Sequence, residues 1–471
     1  MFPAEIYRDR RNYLRSQVGS GLILLPGHLD APMNYLDNPY PFRQDSSFLY
    51  FVGLDQPGMA VIIDADTGAE IVFGSDPTAE SIVWTGPLPT ICEQAEQVGI
   101  SSALPIEQLP QIIQKARQQG RAIHYLPPCR PETAIQLHHL LSIPIDEVPN
   151  RCSESLIRAV VEQRSIKTAD EIREIESAVE ITHAMQRAAA RVARPGIREY
   201  QVVAAVDHAS RWHGGMPGFI SIVTTHGEVL HNRACSETLQ PGHLLVCDIG
   251  GETPLHYTGD ITRTLPVGGR FTARQKDIYA IVHRAQRAAI AAMKPGVEFR
   301  TIHRLACVEL ALGLTELGLM KGDPEQAVAA GAHTLFFPCG LGHMLGLDVH
   351  DMEGLGEDFV GYTNTIRRNP AFGWRSLRLA KALQPGFVVT VEPGIYLVPD
   401  QIDRWQARNQ CSDFINFDAL RAWRDFGGIR IEDVTVVTES SCAILGPVFP
   451  STAQQLEEMV LSEQSRKDTP Y

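Results

Sequence analysis

The sequence predicts a mixed α/β chain (α+β class) of two domains, residues 1–165 and residues 166–471. Its length and its hydrophobic content of 44% are sufficient for two domains with complete cores. The boundary is expected just before Thr168 and Glu171, a Thr-x-x-Glu capping box that opens an amphipathic helix to about Ala193. Two similar segments in the second domain add the expectation of an internal duplication.

The first domain begins with an amphipathic helix, predicted from about Glu5 to Gln17. Three strand-like runs follow, and each is bounded by Gly, Pro or Asp, which interrupt regular structure. The runs are GLILLPG, GMAVIID and AEIVFG. A helix followed by apolar runs of this length is typical of an α/β unit, and this half contains no catalytic constellation of its own.

The second domain repeats short phrases. QRAA at 186–189 recurs at 286–289, and Pro-Gly at 195–196 recurs at 295–296, in both cases one hundred positions later. A duplication would make each half a helix pair with strands. The phrase is short and rich in alanine, so coincidence between two amphipathic helices is the alternative interpretation.

The net charge limits the kinds of partner that the protein can bind, and the cysteine pattern indicates its cellular compartment. A net charge of −13 argues against nucleic acid or an anionic membrane as the partner. Nine cysteines without a CxxC pair favour reduced thiols in a reducing compartment. The first residues contain no apolar stretch of signal-peptide length, and no run approaches a membrane span. The sequence therefore predicts a cytoplasmic protein.

Five candidate metal ligands lie in five distinctive phrases, LLVCDIG, TGDITRT, GLGHMLG, TVEPGIY and GGIRIED. The ligands are Asp248, Asp260, His343, Glu392 and Glu432. Four carboxylates and one imidazole suit two adjacent divalent cations such as Mn²⁺, because carboxylates can bridge two ions. Each residue alone has an ordinary interpretation, such as an Asp before a turn. Together they predict one metal site, which a duplication would place where its two halves meet.

Local patterns support the convergence of these residues. Apolar runs lead directly into Asp248 and Glu392, so each is expected where a buried strand ends. The breakers after Asp248 predict a turn that brings Asp260 back alongside in a hairpin. In GGIRIED two isoleucines alternate with Arg430 and Glu432, so a strand would direct both polar side chains to one face.

These phrases, with FRQDSSFLYFVG at residues 42–53, resemble the pita-bread metallopeptidases, and among them the Xaa-Pro peptidases aminopeptidase P and prolidase. The resemblance implies an aminopeptidase P-like N-terminal domain and a pita-bread catalytic domain with internal pseudo-duplication. It implies two divalent metal ions, with Mn²⁺ expected, bridged by Asp260 and Glu432. Short proline-containing peptides are the implied substrates and a homodimer the implied assembly. In the related enzymes the N-terminal domain shapes access to the site, and a bare scaffold is the alternative here.

The same resemblance assigns further roles. His231 in VLHN and His350 in LDVHD match histidines near the scissile bond, and Glu392 is the implied proton acceptor and carrier. Arg378 in SLR resembles the prolidase arginine that holds the free carboxylate of a dipeptide, which a guanidinium can pair bidentately. A charge on a helix surface is the alternative for this residue. Arg430 is a second candidate for substrate binding.

The resemblance slightly favours a dipeptidase over an aminopeptidase. Arg378 and the long stretch 399–426 are closer to prolidase, whereas the phrase at 40–53 is at home in aminopeptidase P. A methionine-aminopeptidase-like enzyme is a further alternative, against which the large N-terminal domain counts. Another is a catalytically altered relative that acts as a binding protein, although all five ligand positions are kept.

The chain departs from the family pattern at two places. Cys339 stands where the family commonly has a histidine, and it is either a small buried replacement or an oxidation-sensitive modulator. The spacer between Asp248 and Asp260 is one residue longer than expected, which is harmless in a turn but would need a bulge within a paired strand. The identity of the metal is open among Mn²⁺, Co²⁺, Zn²⁺ and Fe²⁺.

Overall fold

The computed structural model describes residues 1–466, which form two compact units. The first unit comprises Met1–Arg164 and the short stretch Glu353–Phe359. The second comprises Ser165–Met352 and the chain from Val360 onward. Among the described residues, no helix is both long enough and apolar enough to cross a lipid bilayer.

The first unit is built on a mixed sheet. Its elements in chain order are α1 (Ala4–Val18), β1 (Leu22–Pro26), α2 (Ser46–Val52), β2 (Ala60–Asp64), β3 (Glu70–Gly74), α3 (Ala79–Thr85), α4 (Ile91–Gln97), β4 (Ala103–Pro105), α5 (Leu109–Gln118), β5 (Ile123–His124), α6 (Pro131–Leu141) and α7 (Glu154–Ser165). Within the described residues the strand order is β4-β3-β2-β1-β5. The outer pairs β3–β4 and β1–β5 are parallel, and the inner pairs are antiparallel.

The central strands of this sheet are buried along almost their whole length, so both of its faces are covered. Leu22, Leu24, Ile62 and Phe73 share one hydrophobic cluster with residues of α5 and α6. The predicted first helix is confirmed as α1, and the three predicted strands are confirmed as β1, β2 and β3.

The second unit contains two helix pairs and several short antiparallel sheets. Its elements are α8 (Ala169–Val192), α9 (Glu199–Trp212), β6 (Met216–Pro217), β7 (Ile222–Thr224), β8 (Leu244–Ile249), β9 (Gly251–Glu252), β10 (Ile261–Pro266), α10 (Ala273–Ala292), α11 (Phe299–Glu316), α12 (Pro324–Ala329), β11 (Val388–Val391), β12 (Gly394–Tyr396), α14 (Pro399–Ala407), α15 (Phe417–Leu420), β13 (Gly428–Arg430), β14 (Asp433–Val437), β15 (Cys442–Ile444) and α16 (Ala453–Ser465). The short helix α13 (Glu357–Gly361) begins in the stretch assigned to the first unit and ends in the second.

The helix α8 begins and ends where the sequence predicts. The backbone N–H of Glu171 donates to Thr168 Oγ1 (3.3 Å), and the backbone N–H of Thr168 donates to Glu171 Oε2 (3.1 Å). This reciprocal capping box satisfies two N–H groups that the first helical turn would otherwise leave unpaired. The helix then runs to Val192, with Ala193 as its C-terminal cap.

The second unit has the organisation that a duplication requires. In its first half α8 packs against α9, and β10, β8 and β7 form an antiparallel sheet in that order. In its second half α10 packs against α11, and β11, β14 and β15 form another antiparallel sheet. Each half is therefore a helix pair with a three-stranded sheet.

Candidate metal centre

The first two candidate ligands lie on the predicted hairpin. β8 and β10 pair without interruption from Ile249–Ile261 to Leu244–Pro266, and Asp248 lies in β8 while Asp260 directly precedes β10. The extra residue of the spacer therefore falls in the connection and needs no bulge. That connection closes in a tight turn, in which His256 adopts a positive φ of 67°.

The two glutamates lie at a second junction of strands. Glu392 separates β11 from β12, and Glu432 separates β13 from β14. These strands pair with one another on either side of the glutamates, through Val391–Asp433 and Gly394–Arg430. The apolar run that forms β11 thus ends directly before Glu392, as predicted. Ile429 and Ile431 are fully buried in the core, which confirms the predicted alternation.

His343 reaches the carboxylates from a glycine-rich loop that lies against β11. Its backbone N–H donates to Thr390 Oγ1 (3.1 Å), and its carbonyl accepts from Thr390 N (3.0 Å). Gly342 is required there, because a Cβ atom would lie 1.9 Å from the Thr390 carbonyl oxygen. Nδ1 of His343 donates to the Met344 carbonyl (3.0 Å), which can only accept.

The other ring nitrogen of His343 faces acids. Nε2 lies 3.5 Å from Asp260 Oδ2 and 3.4 Å from Glu392 Oε1. In the neutral ring this nitrogen presents a lone pair to oxygen atoms that also carry lone pairs. A hydrogen bond to the opposite nitrogen is the usual way in which proteins orient a metal-binding histidine.

The buried oxygens at the centre fit divalent cations. One ligand atom each from Asp260, His343 and Glu432 lies within 4.8 Å of the others. Asp260 Oδ1 and Glu432 Oε1 are buried and have no hydrogen-bond partner among residues 1–466. Burial, followed by the neighbouring carboxylates, raises the pKa of both acids well above the ordinary range. Buried acids without partners are costly in a folded protein unless a cation is bound, so the donor set suits hard divalent ions.

Asp248 and Glu432 are tied together through Arg430 and Thr262. Arg430 donates from Nη2 to Asp248 Oδ2 (2.6 Å), from Nε to Thr262 Oγ1 (3.1 Å) and from Nη1 to Tyr396 Oη (3.1 Å). The Thr262 hydroxyl in turn donates to Glu432 Oε2 (2.7 Å). Arg430 and Glu432 thus share one face of the chain, as predicted. Because these contacts of Arg430 are to protein groups, its expected contact with substrate stays a prediction.

Two hydroxyl groups of the site, those of Thr262 and Thr390, are not among the residues predicted from the sequence. Thr262 follows Asp260 by two residues, and Thr390 precedes Glu392 by two and lies 3.4 Å from Glu392 Oε1. In an extended chain, residues two positions apart have their side chains on the same face. The spacing of each threonine from its acid is therefore the feature of the sequence that could have predicted these contacts. The hydrogen bonds from Thr262 to Glu432 and from the His343 N–H to Thr390 join segments far apart in the sequence.

The remaining site residues are His231, His350 and Arg378, and one of them, His350, contacts His343 directly. The ring of His350 meets the ring of His343 edge to face at a centroid distance of 4.5 Å. Burial, then the charges of His343, Arg378 and His231, lowers the pKa of His350 to about 2. Partial burial lowers the pKa of His231 as well, and Arg378 contributes to that shift. His231, His350 and Arg378 are therefore close enough to influence one another, and both imidazoles are neutral near pH 7.

Cys339 lies near Glu392, Arg430 and Tyr396, and the residue as a whole is partly buried. Burial, with the nearby charge of Glu392, raises the pKa of its thiol to about 12. A protonated thiol reacts slowly with oxidants, because the thiolate is the reactive form. This favours the interpretation of Cys339 as a small buried replacement.

Two glutamines, one in each copy of the repeated phrase, donate hydrogen bonds to residues that adjoin the candidate metal ligands. On α8, Gln186 Nε2 donates to the carbonyls of Cys247 (3.0 Å) and Ile261 (2.7 Å), which adjoin Asp248 and Asp260. On α10, Gln286 Nε2 donates to the Val391 carbonyl (3.2 Å) and to Asp433 Oδ2 (3.0 Å), which adjoin Glu392 and Glu432. Both glutamines are fully buried. The two copies of the repeated phrase thus have equivalent roles. Gln186 supports the strands of the two aspartates, and Gln286 supports the strands of the two glutamates.

We expect Gln186→Met and Gln286→Met each to weaken Mn²⁺ binding by about 10-fold to 100-fold, the usual effect of removing a group that orients metal ligands. Isothermal titration calorimetry on the chelator-treated protein measures this affinity. Ile278→Val is the control, because it trims the same core from α10 at a cost of about 1 kcal/mol without touching the strand carbonyls. Equal loss of affinity in all three variants would mean that lower stability alone weakens binding.

Comparison with known proteins defines the class of this one. The chain belongs to metallopeptidase family M24, whose sequence model matches residues 173–439. Residues 7–124 match the model described as the aminopeptidase P N-terminal domain. The protein is therefore a metallopeptidase, a hydrolase that works with divalent metal ions.

Several known proteins are similar to this chain along nearly its whole length, among them Xaa-Pro dipeptidases and aminopeptidases. The Xaa-Pro dipeptidase of Homo sapiens is 32% identical over 451 residues, which cover 94% of this chain and 88% of that protein. The Xaa-Pro aminopeptidase of Haemophilus influenzae is 29% identical, with 97% of each chain covered. The structure of Pseudomonas aeruginosa aminopeptidase PepP matches with a TM-score of 0.82 at 28% identity, covering 99% of both chains. Aminopeptidase P from E. coli with the inhibitor Pro-Leu matches with a TM-score of 0.81 at 26% identity, covering 99% of this chain and 100% of that one. The predicted fold, an N-terminal domain followed by a pita-bread catalytic domain, is confirmed.

Proposed function

We propose that this protein hydrolyses the Xaa-Pro bond at the N-terminus of short peptides and acts as an Xaa-Pro dipeptidase in preference to an Xaa-Pro aminopeptidase. The observation that carries the proposal is the buried cluster of Asp260, His343 and Glu432, whose ligand atoms lie within 4.8 Å of one another and whose two acids each keep one oxygen without a hydrogen-bond partner among residues 1–466. The match along nearly the whole chain to Xaa-Pro peptidases of both kinds supports the choice of substrate class.

Five residues would hold two divalent ions. They are Asp248, Asp260, His343, Glu392 and Glu432, of which Asp260, His343 and Glu432 have ligand atoms within 4.8 Å of one another. When bound, a pair of divalent cations polarises a scissile carbonyl and makes water nucleophilic near neutral pH. Mn²⁺ is the proposed metal, because the donors are mostly carboxylate oxygens.

The protein groups supply proton transfer and positioning. Glu392 is the proposed proton acceptor and carrier, because its side chain is partly exposed and its Oε1 lies 3.4 Å from His343 Nε2 in the site. Neutral His231 and His350 each carry one N–H, with which they would stabilise the developing oxyanion or orient the substrate. Arg378, whose charge lowers the pKa of both histidines, would hold the free carboxylate of a dipeptide.

A comparison of Ala-Pro with Ala-Pro-Ala and a longer Xaa-Pro peptide tests this function, with added Mn²⁺ and a chelator control. We expect Ala-Pro to be cleaved fastest and Arg378→Ala to raise its KM about 30-fold or more, since loss of one partner of a charge pair costs about 2 kcal/mol or more. The tripeptide should be affected much less, because its carboxylate lies one residue farther away.

Arg375→Ala is the matched control, because Arg375 is an exposed arginine three residues earlier in the same segment. This variant should leave the KM for both Ala-Pro and Ala-Pro-Ala unchanged. Faster cleavage of Ala-Pro-Ala would identify an aminopeptidase, and no metal-dependent cleavage of any of the peptides would overturn the proposal.

We also propose that the protein is a homodimer in the cytoplasm. A homodimer is usual among the related peptidases, and nine cysteines without a CxxC pair are suited to a reducing compartment. The net charge of −13 is consistent with peptides as partners and not with nucleic acid or anionic membranes. Light scattering of the purified protein tests the dimer directly.

A further inference from the structure

The first unit contains a second cluster of metal-ligating side chains. His28, Asp45 and Cys129 each present one ligand atom, and these atoms lie within 4.8 Å of one another. His28 Nε2 is 3.7 Å from Cys129 Sγ and 3.9 Å from Asp45 Oδ2. The cluster shares no residue with the carboxylate site of the second unit.

The imidazole of this cluster is oriented by the backbone. Nδ1 of His28 lies 3.0 Å from the Arg43 carbonyl, which can only accept, so Nδ1 donates and Nε2 presents its lone pair. The backbone N–H of His28 donates to Gln44 Oε1 (2.6 Å), and the residue is only 6% exposed. This is the arrangement in which proteins hold a histidine as a metal ligand.

The carboxylate is held just as firmly. Asp45 is the N-cap of α2, and its Oδ1 accepts the backbone N–H of Phe48 (2.9 Å). Its own N–H donates to Gln44 Oε1 (2.9 Å), so one buried amide fixes both His28 and Asp45. Oδ2 is then the oxygen that faces the imidazole.

The positions of the three side chains do not fit a catalytic Cys-His-acid triad, but they do fit the binding of a cation. In a Cys-His-acid relay the thiol and the acid use opposite nitrogens of the ring. Here Asp45 and Cys129 both face Nε2, while Nδ1 is engaged by a carbonyl. Three atoms with lone pairs that converge on one point are arranged to share a positive ion.

We propose that His28, Asp45 and Cys129 bind one zinc ion, with the fourth coordination position open to water. Imidazole, thiolate and carboxylate are all zinc ligands, and thiolate selects against Mn²⁺ and Mg²⁺. Bond lengths of about 2.0–2.3 Å at tetrahedral angles give ligand separations of about 3.3–3.6 Å. The two distances from His28 Nε2, 3.7 Å to Cys129 Sγ and 3.9 Å to Asp45 Oδ2, need only a small contraction to reach them.

Neighbouring charge is compatible with this site. The guanidinium of Arg130 donates to the carbonyls of Leu29 (3.4 Å) and Arg43 (3.2 Å). Arg130 and Arg43 both add positive charge near His28, and the thiolate and carboxylate supply two negative charges toward the ion. Cys129 is exposed, so solvent reaches this ligand of the cluster.

Cobalt titration of the full-length protein tests the site, in the presence of a reductant that is not a thiol. Co²⁺ replaces zinc, and a bound thiolate gives a sulfur-to-cobalt charge-transfer absorption that oxygen and nitrogen ligands do not give. We expect this band in the wild type, its loss in Cys129→Ser and a strong reduction in His28→Ala.

Two matched controls assign the signal. Cys92→Ser removes another exposed thiol, and Cys339→Ser removes the thiol beside the carboxylate site, so both should keep the band. After loading with zinc, Cys129→Ser should hold about one equivalent per chain fewer than the wild type. Absence of the band in the wild type, or its persistence in Cys129→Ser, would overturn the proposal.

Discussion

In the chelator-treated protein, Asp260→Asn is expected to raise the melting temperature while it removes metal-dependent activity. Asp260 is 4% exposed, and its Oδ1 has no partner among residues 1–466, so its charge is costly without a cation. Activity should fall by about 10³-fold or more, which corresponds to about 4 kcal/mol of transition-state stabilisation. The melting temperature should rise by about 2–4 °C for each kcal/mol relieved.

The pH dependence identifies the cause of this stabilisation. Burial and the acids Asp248 and Glu392 raise the pKa of Asp260 in the folded state. The metal-free wild type therefore loses stability as the pH rises from the unfolded pKa through the raised folded pKa. At low pH the wild-type carboxyl is already neutral and the variant has little advantage. Differential scanning calorimetry from pH 4 to pH 8 should show a difference that grows with pH.

Asp433→Asn is the control with the opposite expected sign. Asp433 is also buried, but it accepts hydrogen bonds from Arg263 (2.7 Å) and from Gln286 (3.0 Å). Neutralising one partner of a buried pair should cost about 3 kcal/mol or more and lower the melting temperature. If both variants were destabilised at every pH, the charge of Asp260 would not be the cause.

The sequence predicts which elements carry the ligands, because that information is local. An apolar run that ends in an acid predicted the position of Glu392, and period-two alternation predicted the common face of Arg430 and Glu432. The capping box at Thr168 predicted the start of α8 to the residue. Each of these signals lies within a few positions of the residue it concerns.

The connections between ligands could not be predicted in the same way. Thr262 and Glu432 are 170 positions apart, and only the packing of β10 beside β13 and β14 brings the hydroxyl to the acid. The role of Gln186 and Gln286 was present in the sequence only as a repeat. Helix packing decides that their amides reach the strand carbonyls next to the ligands.

Replacing Glu392 with Gln is expected to lower kcat by about 10²-fold to 10⁴-fold, the range of a lost general base, with little change in KM. The Glu392 side chain is 21% exposed, compared with 6% for Asp260, so it is the acid better placed to exchange a proton with substrate. Gln keeps one carbonyl oxygen toward the metals and removes the group that accepts a proton. Steady-state kinetics with metal analysis of the same samples measures both effects.

His343→Ala separates loss of metal from loss of proton transfer. His343 Nε2 lies between Asp260 and Glu392, so its removal should reduce bound metal as well as kcat. In Glu392→Gln the metal content should stay close to that of the wild type, and the acidic limb of the kcat profile should disappear, because the carboxylate that must be deprotonated to accept the proton is gone. Equal metal loss in the two variants would assign Glu392 to metal binding alone. A retained acidic limb would assign the proton transfer to another group.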